Sequence, residues 1–289
     1  MNRDIRDTAV RWLTEARAAI VVDVTQARGS VPREAGTRML VSATDVIGTV
    51  GGGHLELKAI ARAREMLAAR DFTSRSEHFA LGPALGQCCG GAVTLGYGAL
   101  DAEALAHWPE AAPLFHLQLY GAGHVGRAIA TLLATLDASV DWIDEREQEF
   151  PATTTLGTPW PERIRRICVD AVEGEVRLAK PGAFYLVLTH DHDLDLRITE
   201  AVLKRADFGY LGLIGSKTKR QRFIHRFEAR GIDPDIVARM ICPIGIQPID
   251  GKEPEVIAVG VVAQLLQRRA LLNAATAARP ARTASAATT

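Results

Sequence analysis

The chain has 289 residues, long enough for two domains with full cores, and its 34 basic and 34 acidic residues give no single-sign field. That balance argues against nucleic acid as a partner, because binding by counterion release needs clustered Lys and Arg. Charges at Arg3, Asp4, Arg6, Asp7 and Arg11 break up the amino terminus, and no window reaches the roughly 18 apolar residues of a membrane span, so a cytoplasmic protein is expected. Four cysteines without C-x2-C spacing suggest neither a disulfide framework nor a zinc site.

Residues 4–19 have helical apolar spacing, and Ala19 to Val24 reads as a strand leading into a Gly- and Pro-containing loop at residues 28–36. Arg38 to Val41 and Val46 to Val50 form an expected strand pair. Gly51-Gly52-Gly53 then opens a helix over about 54–69, either as a tight turn or as an anion-favouring helix N-terminus. Strands are expected near 76–81 and 92–98. Between them lies Gln87-Cys88-Cys89-Gly90-Gly91, with further glycines at Gly82 and Gly86. Adjacent thiols point in different directions, so one of Cys88 and Cys89 suits a functional role and the other a structural one; an ordinary Gly-rich turn is the alternative. Ala102 to Pro113 reads as a passage between domains: 1–108 as an N-terminal domain, 109–114 as linker, 115–269 as a Rossmann-like domain and 270–289 as a disordered tail.

The second domain opens with the strand Leu114 to Tyr120 and runs into Gly121-x-Gly123-x-x-Gly126 and a helix over 125–136. A second strand, Ser139 to Asp144, ends in an acid placed where a ribose-binding carboxylate belongs. Strand, glycine turn, helix and acid in that order form the dinucleotide-binding fingerprint in context, and predict a phosphate-bearing ligand. Further strands at 183–188 and 210–214, and helices at 194–204, 217–229 and 253–268, predict a doubly wound parallel sheet beside a smaller α+β domain. The strand ends carry Gly121 to His124, Asp144 to Arg146, Thr189 to Asp195 and Gly215-Ser216-Lys217. The alternating His and Asp of 190–195 read either as metal ligands or, more plainly, as a helix cap at Asp191 or Asp193 with His190 or His192 bordering a ligand. Ser216 and Lys217 read either as a second anion site or as an ordinary cap. Cys168 and Cys242 lie in apolar runs and are expected in the core, with Pro243 a candidate cis proline.

Gly29 to Arg33, Gly48 to Glu56, Gly86 to Gly91, Tyr120 to Gly126, Thr189-His190-Asp191, Gly215 to Lys217, Cys242 to Gly245 and Pro254 to Ala258 together resemble the xanthine dehydrogenase accessory factor family, the XdhC/CoxI-type molybdenum cofactor chaperones. The resemblance runs from about Ile5 to Leu266. It implies a maturation factor rather than an enzyme, which binds molybdenum cofactor, supports its sulfuration with a cysteine desulfurase and delivers it to xanthine dehydrogenase in purine catabolism. His54 stands where relatives of the carbon monoxide dehydrogenase type carry Cys, which favours the xanthine dehydrogenase branch. On this basis Gly121, Gly123 and Gly126 are assigned to the cofactor phosphate, Asp144 to a polar ring or ribose-like edge, Cys88 or Cys89 to molybdenum or sulfur handling, and His124, His190, Ser216 and Lys217 to cofactor binding. A homodimer is expected from the frequency of two-fold assemblies. The competing expectation is an NAD-dependent oxidoreductase, since the fingerprint with Asp144 equally suits an adenosine ribose.

Overall fold

A computed structural model describes residues 2–81, 90–108, 112–155, 157–249 and 251–277; Cys88, Cys89, residues 109–111 of the expected linker and 278–289 of the expected tail lie outside the described residues. The chain divides into two compact units, Met1–Ala112 and Pro113–Thr289. No helix among the described residues is long and apolar enough to cross a membrane.

The first unit is an antiparallel sheet of five strands, β1 (Ala19–Arg28), β2 (Arg38–Ser42), β3 (Val46–Gly48), β4 (Arg75–Ala80) and β5 (Ala92–Ala99), in the order β3-β2-β1-β5-β4. The period-2 alternation of β1 splits its apolar residues between two cores. Ile20, Val22 and Val24 face helix α2 (Gly53–Ala69), which buries Leu55, Ala59, Ala63 and Met66 along one stripe. Ala19 and Val21 face helix α1 (Asn2–Thr14), whose Ile5, Ala9 and Trp12 recur at helical spacing. A short helix, α3 (Ala102–Ala106), is capped by Asp101, and Trp108 beyond it is buried in the same core. Residues 102–108 therefore pack into the first unit.

The second unit is a six-stranded parallel sheet of β6 (His116–Tyr120), β7 (Ser139–Asp144), β8 (Ile164–Cys168), β9 (Phe184–Val187), β10 (Tyr210–Leu213) and β11 (Met240–Ile241). Its order, β11-β10-β9-β6-β7-β8, corresponds to 3-2-1-4-5-6 counted from β6, the dinucleotide-binding topology, with the order reversing between β6 and β9. Helices α4 (His124–Leu133) and α8 (Pro254–Ala277) cover one face through Ile129, Leu133, Val261 and Leu265. Helices α5 (His192–Arg205), α6 (Lys217–Ala229) and α7 (Pro234–Ala238) cover the other, where Leu196, Val202, Phe223, Phe227 and Val237 are buried. The chain is thus an α/β protein with a Rossmann-type sheet and a smaller α+β unit. Helix α8 continues beyond Arg269 to Ala277, because the Ala- and Leu-rich sequence there favours helix. Cys242 is buried as expected, but Cys168 is exposed: β8 is an edge strand, and its burial alternates poorly beyond Ile164. Cys242-Pro243 is cis, as is Gln247-Pro248.

The turn from β6 into α4 is packed to backbone contact. A Cβ added to Gly126 would lie 2.1 Å from the Gly121 carbonyl oxygen, and one on Gly121, which sits at φ +115°, would lie 2.3 Å from the Leu188 carbonyl oxygen. Gly126→Ala must therefore push α4 away from the sheet, at a cost of about 1–3 kcal/mol, and lower Tm by several degrees. Gly174→Ala, whose added methyl meets nothing within 4 Å, is expected to leave Tm within about a degree or two of wild type by calorimetry.

Candidate functional site

In open α/β sheets, ligands bind outside the carboxyl ends of the strands, where the strand order reverses. Here that crevice is bordered by the Gly121–Gly126 turn after β6 and by Thr189–Asp191 after β9. The three glycines have separate work. Gly121 and Gly126 are excluded from carrying a side chain by neighbouring backbone, whereas a Cβ on Gly123 would meet nothing within 4 Å. The space at Gly123 opens beside the first turn of α4, whose amides have no intrahelical acceptor and carry the positive end of the helix dipole. His124, the first residue of α4, is exposed.

Asp144 is not a free acceptor. Its Oδ2 accepts from the Ala122 amide at 2.7 Å and from Arg146 Nη2 at 3.0 Å, while its Oδ1 accepts from the Arg146 amide at 3.0 Å and Nε at 2.9 Å. The side chain is 3% exposed. Burial pushes the Asp144 carboxyl up, but the hydrogen bonds from Arg146 and Ala122 outweigh it and leave the group below the usual carboxylate range. Placing Asp144 against a ligand edge would require Arg146 to let go, so the structure supports a positioning role: Asp144 ties the glycine turn to the end of β7.

Thr189–Asp195 resolves toward capping. Asp191 Oδ1 accepts from the Leu194 amide at 2.7 Å and caps α5. Asp195 turns inward, where its Oδ1 accepts from the Thr189 hydroxyl at 2.7 Å and amide at 3.0 Å, and its Oδ2 pairs with Lys219 Nζ at 2.5 Å. Lys219 also donates to the Ile214 carbonyl at 2.9 Å. This trio, built around the buried Asp195, links the carboxyl ends of β9 and β10. His190 is half-exposed, 3.7 Å from Glu145 across the crevice. Among the described residues no group of three or more His, Cys, Asp or Glu could hold a metal ion. Ser216 caps α6 by accepting from the Lys219 amide, and Lys217 points to solvent. The inward cation is Lys219, two residues on. Its signal was its i, i+3 relation to the cap at Ser216, which becomes legible only when the start of the helix is fixed.

In the first unit, the N-terminus of α2 is filled by the chain itself. Glu56 accepts from the Gly52 amide at 3.2 Å and from the Thr49 hydroxyl, so its carboxylate stands where an anionic ligand was expected. The glycine loops are also in mutual contact. A Cβ on Gly91 would lie 2.5 Å from the Arg28 carbonyl oxygen and 2.4 Å from that of Ser30, and one on Gly51 would lie 2.7 Å from Pro32 Cγ. The Leu81 amide donates to the Gly91 carbonyl at 2.8 Å, which extends the β4–β5 hairpin to both ends of the segment that carries Cys88 and Cys89.

The fold and the glycine turn define a protein of the dinucleotide-binding α/β class. Residues 117–265 match the XdhC Rossmann domain and residues 12–78 match the XdhC and CoxI family; the chain belongs to the XdhC family. It is 28% identical over 258 residues to YqeB of Escherichia coli strain K12, described as an uncharacterized protein, a match covering 86% of this chain. It spans 43% of that relative's length. A crystal structure of a xanthine dehydrogenase from Bacillus halodurans is 19% identical, with a TM-score of 0.76 over 96% of this chain and 98% of that one, a likeness of fold.

Two outcomes follow from the buried carboxylates. Because the Asp144 pKa is lowered in the folded state, its stabilisation is full above the unfolded value of about 4 and is lost as pH falls through the folded value. In urea titrations, the stability of wild type over Asp144→Asn is expected to be constant from neutral pH to about pH 4 and to shrink below it. Lys219→Met strands the Asp195 carboxylate, which is 1% exposed, and is expected to cost about 3–5 kcal/mol in the same measurement; the double variant Lys219→Met, Asp195→Leu should recover part of that loss.

Proposed function

We propose that this protein is a carrier of molybdenum cofactor, which supports the cofactor's sulfuration in concert with a cysteine desulfurase and its insertion into xanthine dehydrogenase, acting as a homodimer in the cytoplasm. The observation that carries the reading is the open space at Gly123, at the start of α4, in a chain whose second unit is an XdhC Rossmann domain. The cofactor is an anionic pterin with a terminal phosphate and a dithiolene-bound molybdenum. Its phosphate fits the Gly123 space, where the α4 amides would bind it without a side chain in the way. Gly121 and Gly126 act by shaping the turn, and His124 lies at its rim. His190 and Ser216 would border the same strand ends, with Lys217 contributing charge from solvent. The soft metal end calls for thiolate, the chemistry that Cys88 and Cys89 carry in the sequence. When bound, the cofactor would supply a molybdenum centre able to accept a sulfido ligand.

The NAD-dependent alternative is weakened by Asp144. The carboxylate that would accept the ribose hydroxyls is saturated by Arg146 and the Ala122 amide. Anaerobic ultrafiltration with released molybdenum cofactor tests the reading directly. About one molybdenum per chain is expected to be retained in the presence of excess NAD. Gly123→Val is expected to reduce retention by about ten-fold or more with Tm lowered by no more than a few degrees, because an added Cβ meets nothing within 4 Å and the φ of −68° suits any residue. Displacement by NAD, or undiminished retention by Gly123→Val, would sink the proposal.

A further inference from the structure

A cavity of about 380 Å³ lies at the carboxyl ends of β9 and β10, and no residue of the Gly121–Gly126 turn lines it. One face of α6 forms its wall: Lys219, Arg222, Phe223 and Arg226 fall at i, i+3, i+4 and i+7. Phe223 is buried beneath, so the face is anchored to the core while the basic side chains stand over the opening. The charge balance leaves cation to spare. Lys219 is matched by Asp195, and Arg226 lies 3.6 Å from Asp193, whose side chain is 78% exposed. Arg222 has no carboxylate partner among the described residues, and the first turn of α6 contains no acid. The hydroxyls of Ser216 and Thr218 line the same wall.

A second cavity of about 240 Å³ shares Ile214 and Gly215 with the first; its side chains are mostly apolar, Pro243, Ile244, Ile246 and Ile257 among them, while the backbone of Gly245, Gly251 and Gly260 and the Gln247 side chain give it a largely polar surface. Its shape is fixed from behind. Gln264 on α8 accepts from the Tyr210 hydroxyl at 2.6 Å and the Gly245 amide at 3.0 Å, and donates to the Gly245 carbonyl at 3.2 Å. A guanidinium-lined hollow beside one that combines aliphatic side chains with backbone polar groups, joined across Ile214–Gly215, matches a molecule with a phosphate at one end and a heteroatom-bearing ring at the other.

We propose that this paired cavity is a second phosphate site, independent of the glycine turn, in which Arg222 and Arg226 hold the phosphoryl group of a nucleotide-like molecule whose ring lies in the second hollow, against Ile244 and Ile257. It goes beyond the molybdenum cofactor reading and does not rest on it; Ser216 borders both sites, and the Gly123→Val background separates them. The test uses the full chain carrying Gly123→Val, with inorganic pyrophosphate and then ADP titrated by calorimetry. Pyrophosphate is expected to bind this variant, and adding Arg222→Gln and Arg226→Gln is expected to weaken that binding by about ten-fold or more, with the circular dichroism spectrum unchanged. ADP is expected to bind more tightly than pyrophosphate, a gain abolished by Ile244→Asp. Absence of pyrophosphate binding, or binding indifferent to the two arginines, overturns the site; ADP no tighter than pyrophosphate overturns the ring hollow and leaves a site for a free inorganic anion.

Discussion

The second unit depends on how closely the β6–α4 turn approaches its neighbours. The Gly121 carbonyl accepts the indole N–H of the fully buried Trp142 at 3.0 Å, and the same oxygen would be struck by any Cβ on Gly126. The Gly121 amide donates to Ile143 at 2.9 Å and the Leu188 amide to Tyr120 at 2.9 Å. One turn is thereby tied to the ends of both flanking strands, β7 and β9. Such close approach aims the unpaired amides of α4 into the crevice and leaves Gly123 as the place in the turn where a side chain would meet open space. The site is made by backbone packing, and its anion preference comes from the helix terminus that this packing exposes.

Electrostatics at the strand ends follow the same economy. Both inward carboxylates, Asp144 and Asp195, are paired inside the protein, with Arg146 and Lys219 respectively. A buried carboxylate without a partner would lose far more in solvation than it could regain from an occasional ligand. Pairing also removes the acceptors that a ribose would need. What remains for a ligand is mainly donors and cations: helix amides, Arg222 and the Ser216 and Thr218 hydroxyls. The crevice is therefore suited to phosphate groups and poorly suited to reading hydroxyls through Asp144.

The glycine fingerprint was legible in the sequence because its spacing is a steric requirement of the backbone, and backbone sterics vary little with context. The strands with buried faces on both sides, such as β6 and β9, were legible as apolar runs. Strand β8 was not, since Arg165 and Arg166 interrupt it; Arg165 instead pairs with Asp141 on β7 at 2.6 Å, so its charge is absorbed laterally at the sheet edge. The two-residue β11 offers too little periodicity to read. Asp144 was placed correctly at the end of β7, yet its saturation was invisible, because Arg146 belongs to a turn whose geometry is set by tertiary contact. The same holds for Glu56: its position on α2 is a matter of sequence, but its reach back to Gly52 is a matter of how the triple glycine folds.

The first unit applies the same principle without a Rossmann turn. At Gly91 the backbone of residues 28–30 leaves no room for a Cβ, and at Gly51 the ring of Pro32 leaves none. Motifs separated by some sixty residues in sequence are thus one structural object around the root of the β4–β5 hairpin. A side chain at Gly91 would displace the 28–30 loop and, through the Leu81–Gly91 hydrogen bond, the base of the segment bearing Cys88 and Cys89. The glycines thus fix Leu81 and Gly91 against the 28–30 loop, so that three motifs far apart in sequence share one packing constraint.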